Sequence, residues 1–324
     1  MPATRYVLGV DGGGTKTVGA IMNGDGQMLA REVFPSSNPH SNDRAAVADV
    51  LQTLVSSLCE RARITPADID AVCMGLAGCD SPKEREMITG LVAPALDPRT
   101  RLLIVNDAVV AMVAVLGELH GILVIAGTGS ICLGHHRATG RTTRAGGWGH
   151  LLSDEGSGYL IGLGALQAVM RAFDGRGEST SLTARVFDRL ECKEARDIIT
   201  WTYRDAAFKT RIAALSPLVM EEDEKGDAVA GAILDTEAAK LAECVESVHR
   251  RMFGAEAPED EGSDSPVKIG LWGGNLVHGK RYRERFVKLL ADSALPVVPV
   301  VDQQAEAVLG ACRHAINSMA EVEE

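Results

Sequence analysis

The chain has no apolar run approaching the roughly 20 residues that a membrane-spanning helix needs, so no spanning segment is expected. Nor does it carry a surplus of positive charge. Its 33 Lys and Arg stand against 44 Asp and Glu, a formal net charge of -11 at pH 7. That balance argues against nucleic acid or an anionic membrane surface as the main partner. Paired cysteines are also missing. Seven are scattered at positions 59, 73, 79, 132, 192, 244 and 312, an odd number and never in C-x-x-C spacing. This argues against a disulfide framework and against a zinc or iron–sulfur cluster, and it suits reduced thiols in a cytoplasmic protein. Cys73 and Cys132 lie inside apolar runs and read as small core residues. A secretory signal is not expected either, because Met1-Pro2-Ala3-Thr4-Arg5 leads almost at once into a strand.

Two familiar phosphate motifs are absent as well. The stretch Gly9-Val10-Asp11-Gly12-Gly13-Gly14-Thr15-Lys16-Thr17 places Thr15 between its last glycine and Lys16, whereas a Walker loop has the lysine directly after the glycine. A dinucleotide fingerprint needs a glycine where Thr17 stands and a helix afterwards. Here an apolar run, Val18 to Met22, follows instead, and Tyr6-Val7-Leu8 precedes, so the pattern is strand, glycine-rich turn, strand. Consecutive glycines expose bare backbone N–H groups that can wrap a phosphate closely. A carboxylate at the mouth, Asp11, would repel phosphate unless a cation lay between them, which is Mg-nucleotide chemistry. Taken alone, the stretch fits an ordinary hairpin with a flexible tip equally well.

At 324 residues, the chain has room for two domains, and its 46% hydrophobic and 24% charged residues are ordinary for a globular protein. A polar loop spans Phe34 to Asn42, with Asn42 or Asp43 placed to cap a helix ending near Arg63. A strand from Ile69 to Ala77 ends in Gly78-Cys79-Asp80, and a short helix covers about Pro82 to Leu91. A strand from Arg101 to Val105 then runs into Asn106-Asp107 and an apolar helix ending near Leu116. This alternation indicates an α/β architecture. The opening pattern then recurs, with Gly121 to Ala126 as a buried-type strand, Gly127-Thr128-Gly129-Ser130 as the turn and Ile131 to Gly134 as the returning strand. Two such turns a domain apart suggest related domains that serve one ligand, and they weigh against the plain hairpin.

Farther on, Gly146-Gly147-Trp148-Gly149-His150 and Asp154-Glu155-Gly156-Ser157-Gly158 form an irregular glycine-dense loop before a helix from about Ser157 to Phe173. Helices are expected from about Thr183 to Leu190, Ala195 to Ala207 and Asp227 to Met252. Glu221 to Lys225 reads as a solvated helix end, and the acidic Ala255 to Ser265 as a surface loop. A strand from Val267 to Leu271 ends in Trp272-Gly273-Gly274-Asn275, a turn that suits close approach to a flat or phosphorylated ligand but also plain helix entry. A strand from Val297 to Val301 and a helix from Gln304 to Ser318 close the chain.

Together these motifs resemble the sugar kinase, actin and heat-shock chaperone ATPase superfamily, and within it the N-acetylglucosamine kinase group. Asp11 to Thr17 resembles the first phosphate loop of that family, Gly127 to Ser130 the second, and Leu271 to Asn275 the adenosine motif. The resemblance implies two ribonuclease-H-like domains flanking an ATP and sugar cleft, with residues 1–118 plus 305–324 in one and 119–304 in the other. It also implies ATP and Mg2+ as cofactors, a soluble homodimer, and phosphorylation of N-acetyl-D-glucosamine at the 6-hydroxyl. Glucosamine and N-acetylmuramate are alternative substrates. An ATPase activator of 2-hydroxyacyl-CoA dehydratases shares the nucleotide fold, but this chain lacks the paired cysteines its interface cluster needs.

Carried over residue by residue, the resemblance makes Asp107 the catalytic base, at a strand-to-helix junction that would also suit a plain helix cap. Asp11 would hold Mg2+. Gly13, Gly14, Thr15, Lys16, Gly127, Thr128, Gly129 and Ser130 would meet the phosphates, and Gly273, Gly274, Asn275 and Gly226 the adenosine. Asn38, Asp107, Gly147, Trp148 and Asp154 would contact the sugar, although Asp154 also suits a helix cap and Trp148 a core position. Pro39-His40 after Asn38 departs from the animal enzymes, which leaves the C2 substituent of the sugar open.

Overall fold

The computed structural model describes residues 5–205, 207–254 and 266–320, so the acidic stretch Ala255 to Ser265 lies outside the described residues. The chain divides into two compact units, one running to Leu119 and resuming at Gln304, the other from His120 to Gln303.

In the first unit, β1 (Tyr6–Gly12), β2 (Lys16–Asn23) and β3 (Met28–Pro35) form an antiparallel meander. Helix α1 (Arg44–Ala62) follows, then β4 (Ile69–Leu76), α2 (Pro82–Val92), β5 (Arg101–Val105) and α3 (Asp107–Leu116). β4 and β5 join the sheet in parallel beyond β1, which gives the order β3-β2-β1-β4-β5. Strand β1 is covered on both faces, so Val7, Leu8 and Val10 are all fully buried and read as one continuous apolar run rather than an alternation. Asp43 starts α1 by accepting the Ala46 N–H at 2.9 Å. The helix buries Val47, Leu51, Leu54, Val55 and Leu58, an i, i+4, i+7 stripe against β2 and β3. Truncating one of these leucines to alanine would cost about 2–5 kcal/mol.

The second unit repeats the plan. β6 (Gly121–Ala126), β7 (Ser130–His136) and β8 (Arg141–Ala145) form the meander. The helices α4 (Gly158–Phe173), α5 (Leu182–Leu190), α6 (Ala195–Tyr203), α7 (Phe208–Ala213), α8 (Ser216–Glu224) and α9 (Ala228–Phe253) follow. β9 (Val267–Trp272), α10 (Gly274–Val277), α11 (Lys280–Asp292) and β10 (Val297–Val300) complete it, with the sheet ordered β10-β9-β6-β7-β8. Strand for strand this is the order of the first sheet, with β9 and β10 again parallel. The mixed α/β fold, with two five-stranded sheets of one topology, is the actin-like, ribonuclease-H-like arrangement that the resemblance implies.

The last helix, α12 (Ala307–Ala320), belongs to the first unit and packs on β1, β4 and α3. Close approach is possible because Gly310 faces α3 directly: a Cβ there would overlap Val110 O and come within 2.7 Å of Ala114 N. α3 is therefore buried on nearly its whole surface from Val110 to Leu116, which fixes the position of its first residue, Asp107.

Two expectations need correction. Strands β3 and β8 add an outer pair that the sequence pattern does not announce. Glu222 and Asp223 close a helix, but they are not solvated: both are 3% exposed. Glu222 is paired with Arg185 and Lys225, and Asp223 with Arg281 and Arg285.

Candidate active site

In the first unit, β1 and β2 are in register to the pair Gly12–Thr17, and the four residues between them form the turn. The Gly13 N–H donates to Lys16 O at 2.9 Å, while Gly14, Thr15 and Lys16 are exposed. Nothing lies within 4 Å of where a Gly14 Cβ would be, so the backbone there is open to a ligand. The loop after β3 is tied to this turn. The Ser36 hydroxyl donates to Gly13 O at 3.0 Å, and the Thr17 hydroxyl donates to Ser37 Oγ at 2.8 Å. Asn38 lies in that loop, its Oδ1 accepting the His40 N–H at 2.8 Å and standing 3.1 Å from where a Cβ on Gly78 would be.

Asp107 is not the cap of α3. Asn106 is the N-cap: its Oδ1 accepts the Ala108 N–H at 2.8 Å, and its Nδ2 donates to Asp80 Oδ1 at 2.8 Å. Asp107 stands one position into the helix and is half-buried, with Oδ1 3.0 Å from the same Ala108 N–H. Burial raises the pKa of its carboxyl, the Ala108 N–H works against that rise, and the Asp80 charge adds to it. Asp11 is half-buried at the end of β1, and its carboxyl is pushed up to about 6, first by burial and then by the Asp107 charge, with Lys16 opposing.

In the second unit, the turn after β6 is held from three sides. The Gly158 and Tyr159 N–H groups at the start of α4 donate to Gly127 O at 2.7 Å and Thr128 O at 3.2 Å. Asn275 Nδ2 donates to Gly127 O at 3.3 Å, and its Oδ1 accepts the Ser216 hydroxyl at 3.1 Å. Asp154, 3% exposed, accepts the Ser130 N–H at 3.1 Å and pairs with Lys209 at 2.9 Å. Gly273 adopts φ +90°, and a Cβ on it would lie 2.5 Å from Ala126 O, so only a glycine lets this turn press against β6. Gly274 opens α10 directly behind it. Gly147 packs on Ile131 of β7, and Trp148 is 58% exposed with the Arg144 guanidinium 4.0 Å above its ring. Gly226 lies past the end of α8, whose start carries Ser216; nine residues of helix separate the two ends by about 13 Å.

The arrangement thus gathers Asp11, Gly13 to Lys16, Asn38 and Asp107 in one unit. It gathers Gly127 to Ser130, Asp154 and Gly273 to Asn275 in the other. Residues 8–315 match the BadF/BadG/BcrA/BcrD ATPase family. The chain belongs to that family. Among its relatives, an N-acetylmuramic acid/N-acetylglucosamine kinase of Clostridium acetobutylicum is 37% identical over 75% of this chain and 79% of its own length. An N-acetyl-D-glucosamine kinase of Dictyostelium discoideum is 32% identical over 96% of this chain and 98% of its own. The solved structure of a provisionally named N-acetylglucosamine kinase from Chromobacterium violaceum superposes with a TM-score of 0.70 at 25% identity, covering 97% of this chain and 100% of that one.

For a member of this ATPase family, the donor set fits a hydrated Mg2+. Such an ion takes one or two carboxylates and keeps several waters, and Asp11, half-buried with the Asp107 charge near it, would supply such a carboxylate. Among the described residues, no group of three or more His, Cys, Asp or Glu forms a metal cage. Three polar residues of the site escape the sequence reading. Asp80 closes a strand-end glycine turn, a visible but ambiguous signal. Ser216 and Lys209 carry no motif and reach the site only through helix packing.

Proposed function

We propose that the chain is an ATP-dependent amino-sugar kinase that transfers the γ-phosphoryl group of ATP to the 6-hydroxyl of N-acetyl-D-glucosamine. The observation that carries this reading is the division of labour at α3: Asn106 takes the capping role, so the half-buried Asp107 carboxyl, which shares the Ala108 N–H, is not committed as the helix cap. Kinase relatives at 37% and 32% identity support the reaction class.

Phosphoryl transfer needs positioning, charge neutralisation and a group to take the proton of the attacking hydroxyl. Asp107 accepts that proton as the sugar oxygen forms its bond to phosphorus and the bond from phosphorus to the ADP oxygen breaks. Asn38, Gly147, Trp148 and Asp154 orient the sugar. Gly13 to Lys16 and Gly127 to Ser130 meet the phosphates, the second turn through the Thr128 and Gly129 N–H groups and its hydroxyls, since the Gly127 and Ser130 N–H groups are taken by Gly129 O and Asp154. Gly273 to Asn275, with Gly226, line the adenosine. Asp11 holds Mg2+, which when bound offsets phosphate charge. We take the working protein to be a cytoplasmic homodimer, which light scattering of the purified chain and cell fractionation test directly.

The test of function is ADP release from ATP with a panel of N-acetylglucosamine, N-acetylmuramate, glucosamine, N-acetylmannosamine and glucose. N-acetylglucosamine should give the highest kcat/KM. If no sugar stimulates ADP release, the kinase reading is wrong; preference for glucosamine would keep the reaction and overturn the substrate.

A further inference from the structure

The second phosphate-type turn has a carboxylate beneath it. A Cβ placed on Gly129 would lie 3.1 and 3.3 Å from the two oxygens of Asp154, so this acid sits directly against the turn backbone. Its Oδ1 holds the Ser130 N–H at 3.1 Å, which orients the last residue of the turn. A bare negative charge in that place would repel the phosphates of a nucleotide, and at 3% exposure little water screens it.

Lys209 meets that charge. Its Nζ is 2.9 Å from Asp154 Oδ2 and 3.3 Å from the same Cβ position on Gly129, and its side chain is 33% exposed. The helix that delivers it is built into the same assembly. Phe208, one residue earlier, packs edge-on against His150 at 5.2 Å and Tyr159 at 6.4 Å between ring centroids. Three residues later, Ile212 O crowds Gly162 of α4, the helix whose first N–H groups anchor the turn. The backbone that carries Lys209 is therefore fixed by packing relative to the helix that anchors the turn.

We propose that Lys209 is a positioning residue of the second phosphate turn, neutralising Asp154 so that this acid can hold the Ser130 N–H without presenting net negative charge to the nucleotide. This rests on the kinase reading and adds to it a residue that no sequence motif marks. The two charges act as a unit. Without the lysine, the acid repels the phosphates; without the acid, the Ser130 N–H loses its acceptor.

The test is calorimetric binding of ADP, without sugar, to four proteins: wild type, Lys209→Met, Lys209→Arg and the double variant Lys209→Met/Asp154→Asn. Lys209→Met should weaken ADP on the order of 10- to 100-fold, because an uncompensated buried charge then faces the phosphates. Lys209→Arg should stay within about threefold of wild type, since it keeps the charge. The double variant should recover most of the loss, because an asparagine side chain in place of the acid keeps a carbonyl oxygen for the Ser130 N–H and carries no charge. ADP binding by Lys209→Met equal to wild type would overturn the proposal. So would a double variant no tighter than Lys209→Met, which would mean that the lysine acts on phosphate directly. Should Lys209→Met fail to fold, the double variant decides, since it removes the pair together. Wild-type protein that neither binds ADP nor releases it with any sugar would refute the kinase reading itself.

Discussion

Asp11 is the residue whose removal should separate stability from function. In the folded protein, its carboxyl titrates at about 6 instead of 3.8. Burial is the main cause and the neighbouring Asp107 charge the second, so the folded state binds this proton more tightly than the unfolded chain does. The sign follows from linkage: the stability tied to the protonated form is complete below about pH 4 and is lost as pH rises through about 6. The full span from 3.8 to about 6 corresponds to about 3 kcal/mol, and relaxation around a half-buried group brings the expected loss to about 1–3 kcal/mol. Asp11→Asn has no such loss. At pH 8, without metal, the variant should be more stable than wild type by that amount, or roughly 3–10 °C in the transition of the first unit. At pH 4.5 the advantage should fall to about a third of that. Adding MgCl2 at pH 8 should raise the melting temperature of wild type and leave the variant unmoved, while sugar-dependent ADP release is lost in the variant. Differential scanning calorimetry at the two pH values, with and without Mg2+, reads all of this. A variant no more stable than wild type at pH 8, or equally advantaged at both pH values, would refute the assignment of Asp11 as a carboxylate held ionised against its surroundings.

Asp107→Asn keeps shape and removes the proton acceptor, so kcat should fall about 10²- to 10⁴-fold while ADP binding by calorimetry stays within about threefold. A variant that turns over at more than about a tenth of the wild-type rate would show that another group takes the proton. Asn275→Ala strips one donor from Gly127 O and the acceptor from the Ser216 hydroxyl. The KM for ATP should rise about 5- to 30-fold with kcat little changed, from about 1–2 kcal/mol of lost hydrogen bonding; an unchanged KM would place Asn275 outside the nucleotide site.

The parts of the fold legible in the sequence are those whose signals are local. Glycine-rich turns between apolar runs mark β1–β2 and β6–β7, and buried helices such as α3 announce themselves by apolar length. Strand β8 escapes notice because Arg-Thr-Thr-Arg-Ala is polar almost throughout, as suits an edge strand that buries little. Strand β3 alternates, but Arg31 and Glu32 interrupt it, and what makes it a strand is pairing with β2. The buried acids Glu222 and Asp223 look solvated for the same reason. Their partners Arg185, Arg281 and Arg285 come from helices α5 and α11, and no local pattern shows that pairing. Lys209 belongs to this class too: its meaning is set by Asp154, 55 positions away (209 − 154) in the numbering.

The duplicated topology sharpens what the two turns have in common and where they differ. In each sheet, the turn joins the first strand to the second, and a positive-φ glycine follows the fourth strand: Gly78 after β4 and Gly273 after β9. Counting back from the turn, the position that holds Asp11 in the first sheet is Ile125 in the second, as the pairs Asp11–Val18 and Ile125–Ile131 show. Only the first copy therefore carries an acid on its leading strand, and that acid stands near a second, Asp107, with the Lys16 charge only partly offsetting the pair. The second copy has its acid against the turn, where Asp154 holds the Ser130 N–H and is paired with Lys209. On the proposed reaction, the first copy with its two acids would be the side that holds a cation and accepts a proton, and the second, with its acid paired to a lysine, the side that receives phosphate oxygens. A fold duplicated without this asymmetry would carry an unpaired acid at both turns or at neither, and the proposed reaction calls for one of each kind.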